Sequence, residues 1–265
     1  GDGGETPVSG TAQSVKELIQ TENGTAYTEQ SYQILGYAPG QNGTRLDGLV
    51  KGTIPYARLI ENIEYSVVEC TEQSKAFAYQ ATTWMQGEAD YSHATDPALY
   101  KKLLSQLVDD IAQDARSFTK QSFNPVFISY QVGSHLRYAQ SQNIPSAFKA
   151  EIAQSQLELS TERSDFVLAM PMYQFDYTGT VNQVHLTATD SKVAGAYFGI
   201  AYKRTLIDGK KFEPLKPTGI SRSGKSVYIT LNVPVPPLTI DTSWVTENTD
   251  YGFRVFNAEG TQMDI

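Results

Sequence analysis

Residues 76–90 read Ala76-Phe77-Ala78-Tyr79-Gln80-Ala81-Thr82-Thr83-Trp84-Met85-Gln86-Gly87-Glu88-Ala89-Asp90, and their reading decides the fold. The first ten are mostly apolar or aromatic and lie between Ser74-Lys75 and Gly87. A run of that length and composition predicts a strand buried on both faces, the kind found in parallel sheets. Polarity changes abruptly at Gln86, where Gly87 allows a turn. Gln86, Glu88 and Asp90 then bring one amide and two carboxylates to the carboxyl edge of the strand. Taken alone, that cluster reads equally well as a solvated strand-to-helix loop.

Downstream the pattern becomes helical. Asp96-Pro97 opens a helix, the aspartate as cap and the proline in the first turn, with an inner stripe of Leu99, Leu103, Leu104, Leu107, Val108 and Ile111. Residues 125–130 predict a second buried strand, 145–159 a helix, 166–170 a third strand, and 189–206 a last helix containing Gly195 and Gly199. Upstream, 11–20 predict a helix, 32–37 a short strand, and 54–72 an amphipathic helix through Leu59, Ile60, Ile63 and Val67. Strands alternating with helices imply a three-layer α/β/α fold on a mainly parallel sheet, which places sites beyond the carboxyl ends of its strands.

After Leu215 the periodicity changes, dividing the chain into domains at 1–215 and 216–265. Lys216-Pro217-Thr218-Gly219 reads as a linker. Residues 226–233 alternate through Val227, Ile229, Leu231 and Val233 as a half-buried strand, and 251–256 read as another. These begin a small, sandwich-like β module.

Composition narrows the partners. The chain has 265 residues, 40% hydrophobic and 19% charged, with a formal net charge of −8. No run of Lys or Arg exceeds two, so nothing prepares it for a nucleic-acid backbone. No apolar stretch approaches the ~18 residues of a membrane span. The single Cys70 permits no internal disulfide and reads as a buried structural thiol in a helix. The three histidines lie far apart, and no metal or other cofactor is indicated. Sixteen tyrosines and eleven phenylalanines supply faces for sugar rings, although core packing explains most of them.

His185 is the histidine set for chemistry. In Asn182-Gln183-Val184-His185-Leu186-Thr187 it precedes the last helix, where a ring nitrogen can reach a group above the sheet. His93 and His135, in polar loops, read as structural.

Trp84-x-Gln86-Gly87-Glu88-x-Asp90, followed by a loop histidine before a glycine-containing helix, resembles the sialate O-acetylesterase-like branch of the SGNH hydrolases. Gly3-Gly4-Glu5-Thr6-Pro7 resembles that family's entry to its first helix. Gly40-Gln41-Asn42-Gly43-Thr44 is similar to its Gly-Gln-Gly-Gly-Thr turn, and residues 49–56 to its Leu-x-Lys-Gly-Thr-x-x-Tyr segment. Residues 127–131, 170–173 and 185–199 fit as well. More loosely, Val233-Pro234 to Asp241-Thr242 with Tyr251-Gly252-Phe253 resembles the β module that follows such domains in phage tail and bacterial polysaccharide-processing proteins.

The resemblance implies cleavage of acetyl esters on a glycan or polysaccharide through an acyl-enzyme. It assigns His185 as general base, the Gly43 N–H as oxyanion donor, Gln86 with Gly87 to the oxyanion and substrate pocket, and Glu88 and Asp90 to holding that loop. It also implies an extracellular, secreted or virion-associated protein, working as a homo-oligomer or within a tail or surface assembly. Two departures stand out. The family's Gly-Asp-Ser or Gly-Gln-Ser nucleophile motif does not occur in residues 1–265, so the serine is expected from chain upstream. The family's Asp-x-x-His reads Asn182-x-x-His185, which removes a charge from the triad; in a serine protease the corresponding change costs about 10⁴ in rate. Asp176 is the candidate substitute. Three readings stay open on sequence: an esterase, a degenerate domain that binds acetylated glycan without cutting it, and a structural or adhesive module.

Overall fold

The computed structural model describes residues 6–133, 150–178, 184–245, 251, 253–259 and 261–263. The chain divides into two compact units, Gly1–Pro214 and Leu215–Ile265.

The first unit is an α/β/α sandwich on a three-stranded parallel sheet of order β1-β2-β3, with β1 Ala81–Trp84, β2 Val126–Gln131 and β3 Phe166–Pro171. Each crossover is helical: α3 Glu88–Ser92 and α4 Pro97–Thr119 between β1 and β2, and α5 Glu151–Glu162 before β3. Trp84, Phe127 and Phe166 lie side by side across the strands, with Phe127 stacked 5.4 Å from Phe166. Strands β2 and β3 are buried almost throughout, whereas β1 is only half-buried and forms an edge of the sheet.

The helices gather in two groups. Helix α1, Pro7–Asn23, lies along α6, Ala188–Tyr202, which packs on β2 and β3. Three glycines let the two backbones touch. A Cβ on Gly195 would sit 2.4 Å from the Pro7 carbonyl oxygen, one on Gly10 2.6 Å from that of Lys192, and one on Gly199 2.7 Å from the Ser14 Cβ. Helix α4 contacts α5, which covers the other side of the sheet, and α2, Ile54–Glu72, packs on α4. Asp96 caps α4 by accepting from the Leu99 N–H at 2.8 Å. Helix α6 runs into a π turn, Lys203–Ile207, where the buried Lys203 Nζ reaches Glu22 at 2.6 Å and Asp208 at 3.0 Å.

Several expectations are corrected. Residues 32–37 form no strand; they carry the exposed Leu35 and Tyr37 and find no pairing partner, without which β propensity achieves little. The first strand of the sheet covers four of the ten residues expected. Leu99 is 44% exposed, and Tyr100 takes the buried position beside it. Cys70 is half-buried rather than enclosed. The helix expected over 145–159 begins, within the described residues, at Glu151.

In the second unit, Lys216–Gly219 is not a linker but the start of strand β6, Lys216–Ser223, which pairs antiparallel with β7, Ser226–Asn232, across the Gly224 turn. The alternation of β7 does not make it half-buried: its residues are largely exposed. Among the described residues of 251–256, β8, Val255–Phe256, is a strand, paired with β9, Gln262–Met263. Among the described residues no helix is long and apolar enough to cross a membrane.

Candidate active site

All three strands of the parallel sheet leave it at one edge, and the segments that follow them build the candidate site. The first, Gln86 to Asp90, turns at Gly87, whose φ of 155° few side chains tolerate; a Cβ there would also press on Val132 at 3.2 Å and Ile152 at 3.3 Å. Helix α3 starts directly after it. Its first-turn carboxylate, Glu88, receives the Tyr130 hydroxyl at 2.8 and 2.7 Å on its two oxygens. Burial first, and then Glu88, hold the Tyr130 hydroxyl well above the usual tyrosine range.

Asp90 is 1% exposed and joins two loops. Its Oδ2 accepts the Leu46 N–H at 2.9 Å and the Gln86 side-chain amide. That amide also donates to the Thr44 carbonyl at 3.3 Å. The Gly43 turn, 42 residues or more away in sequence, is thereby fixed against the end of β1. Gly43 has a φ of 64° and open space around it, so its backbone faces solvent beside Gln86.

Behind Gln86 the polar network continues inward through two residues that the sequence pattern did not single out. Tyr100 on α4 donates to the Gln86 side-chain or main-chain oxygen, at 3.2 and 3.3 Å. Gln156 on α5 donates to the Gln86 carbonyl at 2.9 Å and to Tyr100 at 3.1 Å, and accepts the Val132 N–H at 2.9 Å. Both are fully buried, and burial drives the Tyr100 hydroxyl far above its ordinary pKa. Buried polar groups hold position only when satisfied, and here each supplies its neighbour's missing partner.

His185 lies in a short antiparallel ribbon after β3. In it β4, Tyr177–Thr178, pairs with β5, His185–Leu186, with Thr178 opposite His185. The Thr187 N–H reaches the Asp176 carbonyl at 3.4 Å, carrying the pairing one residue further. Strand alternation therefore puts Asp176 and His185 on one face as diagonal neighbours, about 7–8 Å apart at Cβ in such ribbons. Both are exposed, and the His185 ring has no hydrogen-bond partner among the described residues. Tyr177 ties the ribbon to the end of β3 by donating to the Met172 carbonyl at 2.8 Å. Asn182 and His135 lie outside the described residues. His93, at the C-terminal end of α3, shares its Nδ1 with Ser92 and the Ala89 carbonyl. Among the described residues no three His, Cys, Asp or Glu side chains gather as a metal site.

Hydrogen bonds join the Gly43 turn to the Gln86–Asp90 loop, and the separate ribbon after β3 carries an accessible imidazole with a carboxylate on the same face. Comparison with known proteins agrees in kind. A crystal structure of a protein from Arabidopsis thaliana is similar at a TM-score of 0.51 and 19% identity, over 72% of this chain and 66% of that one. This chain thus spans a little under two thirds of the plant protein, and the likeness is one of fold. No curated protein gives a significant match. Residues 24–204, which contain the Gly43 turn, the Gln86–Asp90 loop and His185, match the family described as carbohydrate esterase, sialic acid-specific acetylesterase. The chain belongs to that family of carbohydrate esterases.

Proposed function

We propose that the first unit is the catalytic domain of a serine-type O-acetylesterase that removes acetyl groups from a glycan or polysaccharide. His185 is the general base, and the Gly43 N–H, with the Gln86-Gly87 loop beside it, receives the oxyanion. Asp176 orients His185 where Asn182 stands in the place of the family's aspartate. Glu88 and Asp90 hold the loop. The nucleophilic serine comes from chain outside residues 1–265. The observation that carries this reading is the Asp90 clamp. It sets the Gly43 turn against the end of β1 at a fixed spacing, as a developing negative charge requires of its donors.

The reaction follows in two steps. The serine attacks the acetyl carbonyl as His185 takes its proton, and the backbone donors receive the oxyanion. As the intermediate collapses, His185 gives the proton to the departing sugar oxygen, which leaves as a hydroxyl, and water then releases acetate by the same route.

The test is acetate release from an acetylated polysaccharide and from an aryl acetate. Residues 1–265 alone should turn over slowly, and the protein carrying a Gly-x-Ser segment upstream should turn over fast. In the active form His185→Ala should lower kcat by about 10³-fold or more. Asn182→Asp should raise kcat if the missing charge limits the rate and leave it unchanged if Asp176 supplies it. Fast turnover by residues 1–265 that survives His185→Ala would place the chemistry elsewhere.

A further inference from the structure

The turn that follows β3 presents one aromatic ring to solvent and fixes it from behind. Residues Met172 and Phe175 point inward and are buried, whereas Tyr173 between them is 64% exposed. The backbone under Tyr173 is held on several sides. The Met172 N–H donates to the Gln131 carbonyl at 3.0 Å, and the Met172 carbonyl accepts from the Phe175 N–H at 3.4 Å and the Tyr177 hydroxyl at 2.8 Å. The end of β2 touches the same backbone: a Cβ on Gly133 would lie 2.5 Å from the Tyr173 nitrogen. Phe175 packs edge-on to Tyr197 of α6 at 6.1 Å.

None of these contacts needs the Tyr173 ring. Its hydroxyl has no hydrogen-bond partner among the described residues, and most of its apolar face meets water. A large aromatic surface left exposed on a stiff turn contributes little to folding, so its use lies in what it can cover. Three residues further on is Asp176, on the face of the ribbon that carries His185.

We propose that Tyr173 is the platform on which the pyranose ring of the acetylated sugar lies, its ester turned toward His185. The axial C–H groups of a pyranose form an apolar face that an aromatic ring covers, and the phenolic hydroxyl at the rim can exchange a hydrogen bond with a ring hydroxyl. Because the backbone is already ordered, the stacking contact needs little further loss of freedom on binding. The inference rests on the carbohydrate-esterase reading and adds to it the residue that selects a sugar over a simple ester.

Binding is the readout, since it needs no nucleophile. Residues 1–265 are titrated by calorimetry, and by the chemical shifts of the ligand, with an O-acetylated sialoside as the acidic probe and an acetylated xylo-oligosaccharide as the neutral one. Tyr173→Ala should weaken the better-bound probe by about tenfold, the scale of one good aromatic contact. Tyr173→Phe should stay within about threefold, because the ring remains. Tyr65→Ala, which removes an equally exposed ring from α2, should change nothing. Unchanged affinity in Tyr173→Ala would overturn the platform while leaving the esterase reading intact. Failure of both probes to bind the unaltered chain at millimolar concentration would overturn the glycan reading and the platform together. Acetate release in the upstream-extended protein reports on the esterase chemistry separately.

Discussion

The Asp90 carboxylate shows how much a single side chain can decide. It is buried, and it accepts from a backbone N–H and from an amide on different loops. Asp90→Ala would leave the Leu46 N–H without its acceptor in a dry environment and the Gln86 amide with only the Thr44 carbonyl. The cost should be about 3–5 kcal/mol, the range for breaking a buried charged hydrogen bond. Asp90→Asn can keep the one oxygen that both donors share and loses its charge, and should cost about 1 kcal/mol. Urea midpoints of the two variants against the unaltered protein test both values. Equal midpoints for all three would mean that solvent reaches the carboxylate and that the clamp contributes nothing. Legibility at this scale was uneven. Gln86, Glu88 and Asp90 were visible because polar residues break an apolar run. Tyr100 and Gln156 were not, because a tyrosine beside a leucine stripe and a glutamine in a helix look like ordinary packing and ordinary surface. Their roles depend on distant partners that only the fold supplies.

Among the elements, those with strong internal signals were read closely. Helix α2 ends where its periodicity ends, and α4 starts at the Asp96-Pro97 cap. Elements defined by a partner were read poorly: 32–37 has strand-like composition and nothing to pair with, while Lys216–Ser223 looks like a linker until β7 is placed beside it. The glycines of α6 were seen, but what they permit was not. They allow α1 to approach until main chain meets main chain, a contact that depends on two helices far apart in sequence. Gly195→Ala should force the pair apart and cost about 1–3 kcal/mol, as overfilling a packed interface does. The same change at Gly40, where a Cβ meets open space, should be near neutral. Thermal unfolding of the two variants side by side would show the contrast, and equal melting temperatures would refute it.

Across the whole molecule, buried tyrosines couple stability to alkaline pH. Burial raises the hydroxyls of Tyr100, Tyr130 and Tyr202 above their usual range, and moves Tyr91 up to about 12. A tyrosine is an acid whose neutral form the folded state favours. Its contribution is therefore present in full below the unfolded value near 10 and is lost as pH climbs toward the folded value. Each such group removes about 1.4 kcal/mol per pH unit in that window. Several acting together would exhaust the ~5–15 kcal/mol of a typical domain within a few pH units. Urea midpoints should hold steady from neutral pH to about 9 and fall steeply above 10, with a rise in tyrosinate absorbance beyond that of the exposed rings, such as Tyr65 and Tyr228, accompanying the loss of circular dichroism. Urea midpoints that stay level through about pH 11 would contradict this. The half-buried β1 bears on the molecule in a different way. Among the described strands it is bonded on one side only, yet Gln86 and the clamp hang from its end. Local opening costs least where ladder bonds are fewest, so amides at this margin exchange with solvent through small fluctuations that leave β2 and β3 intact. Strand β3 is an edge as well, but it is longer and buried, so of the two edges the one that carries the Gln86–Asp90 loop opens first, and exchange should be fastest there.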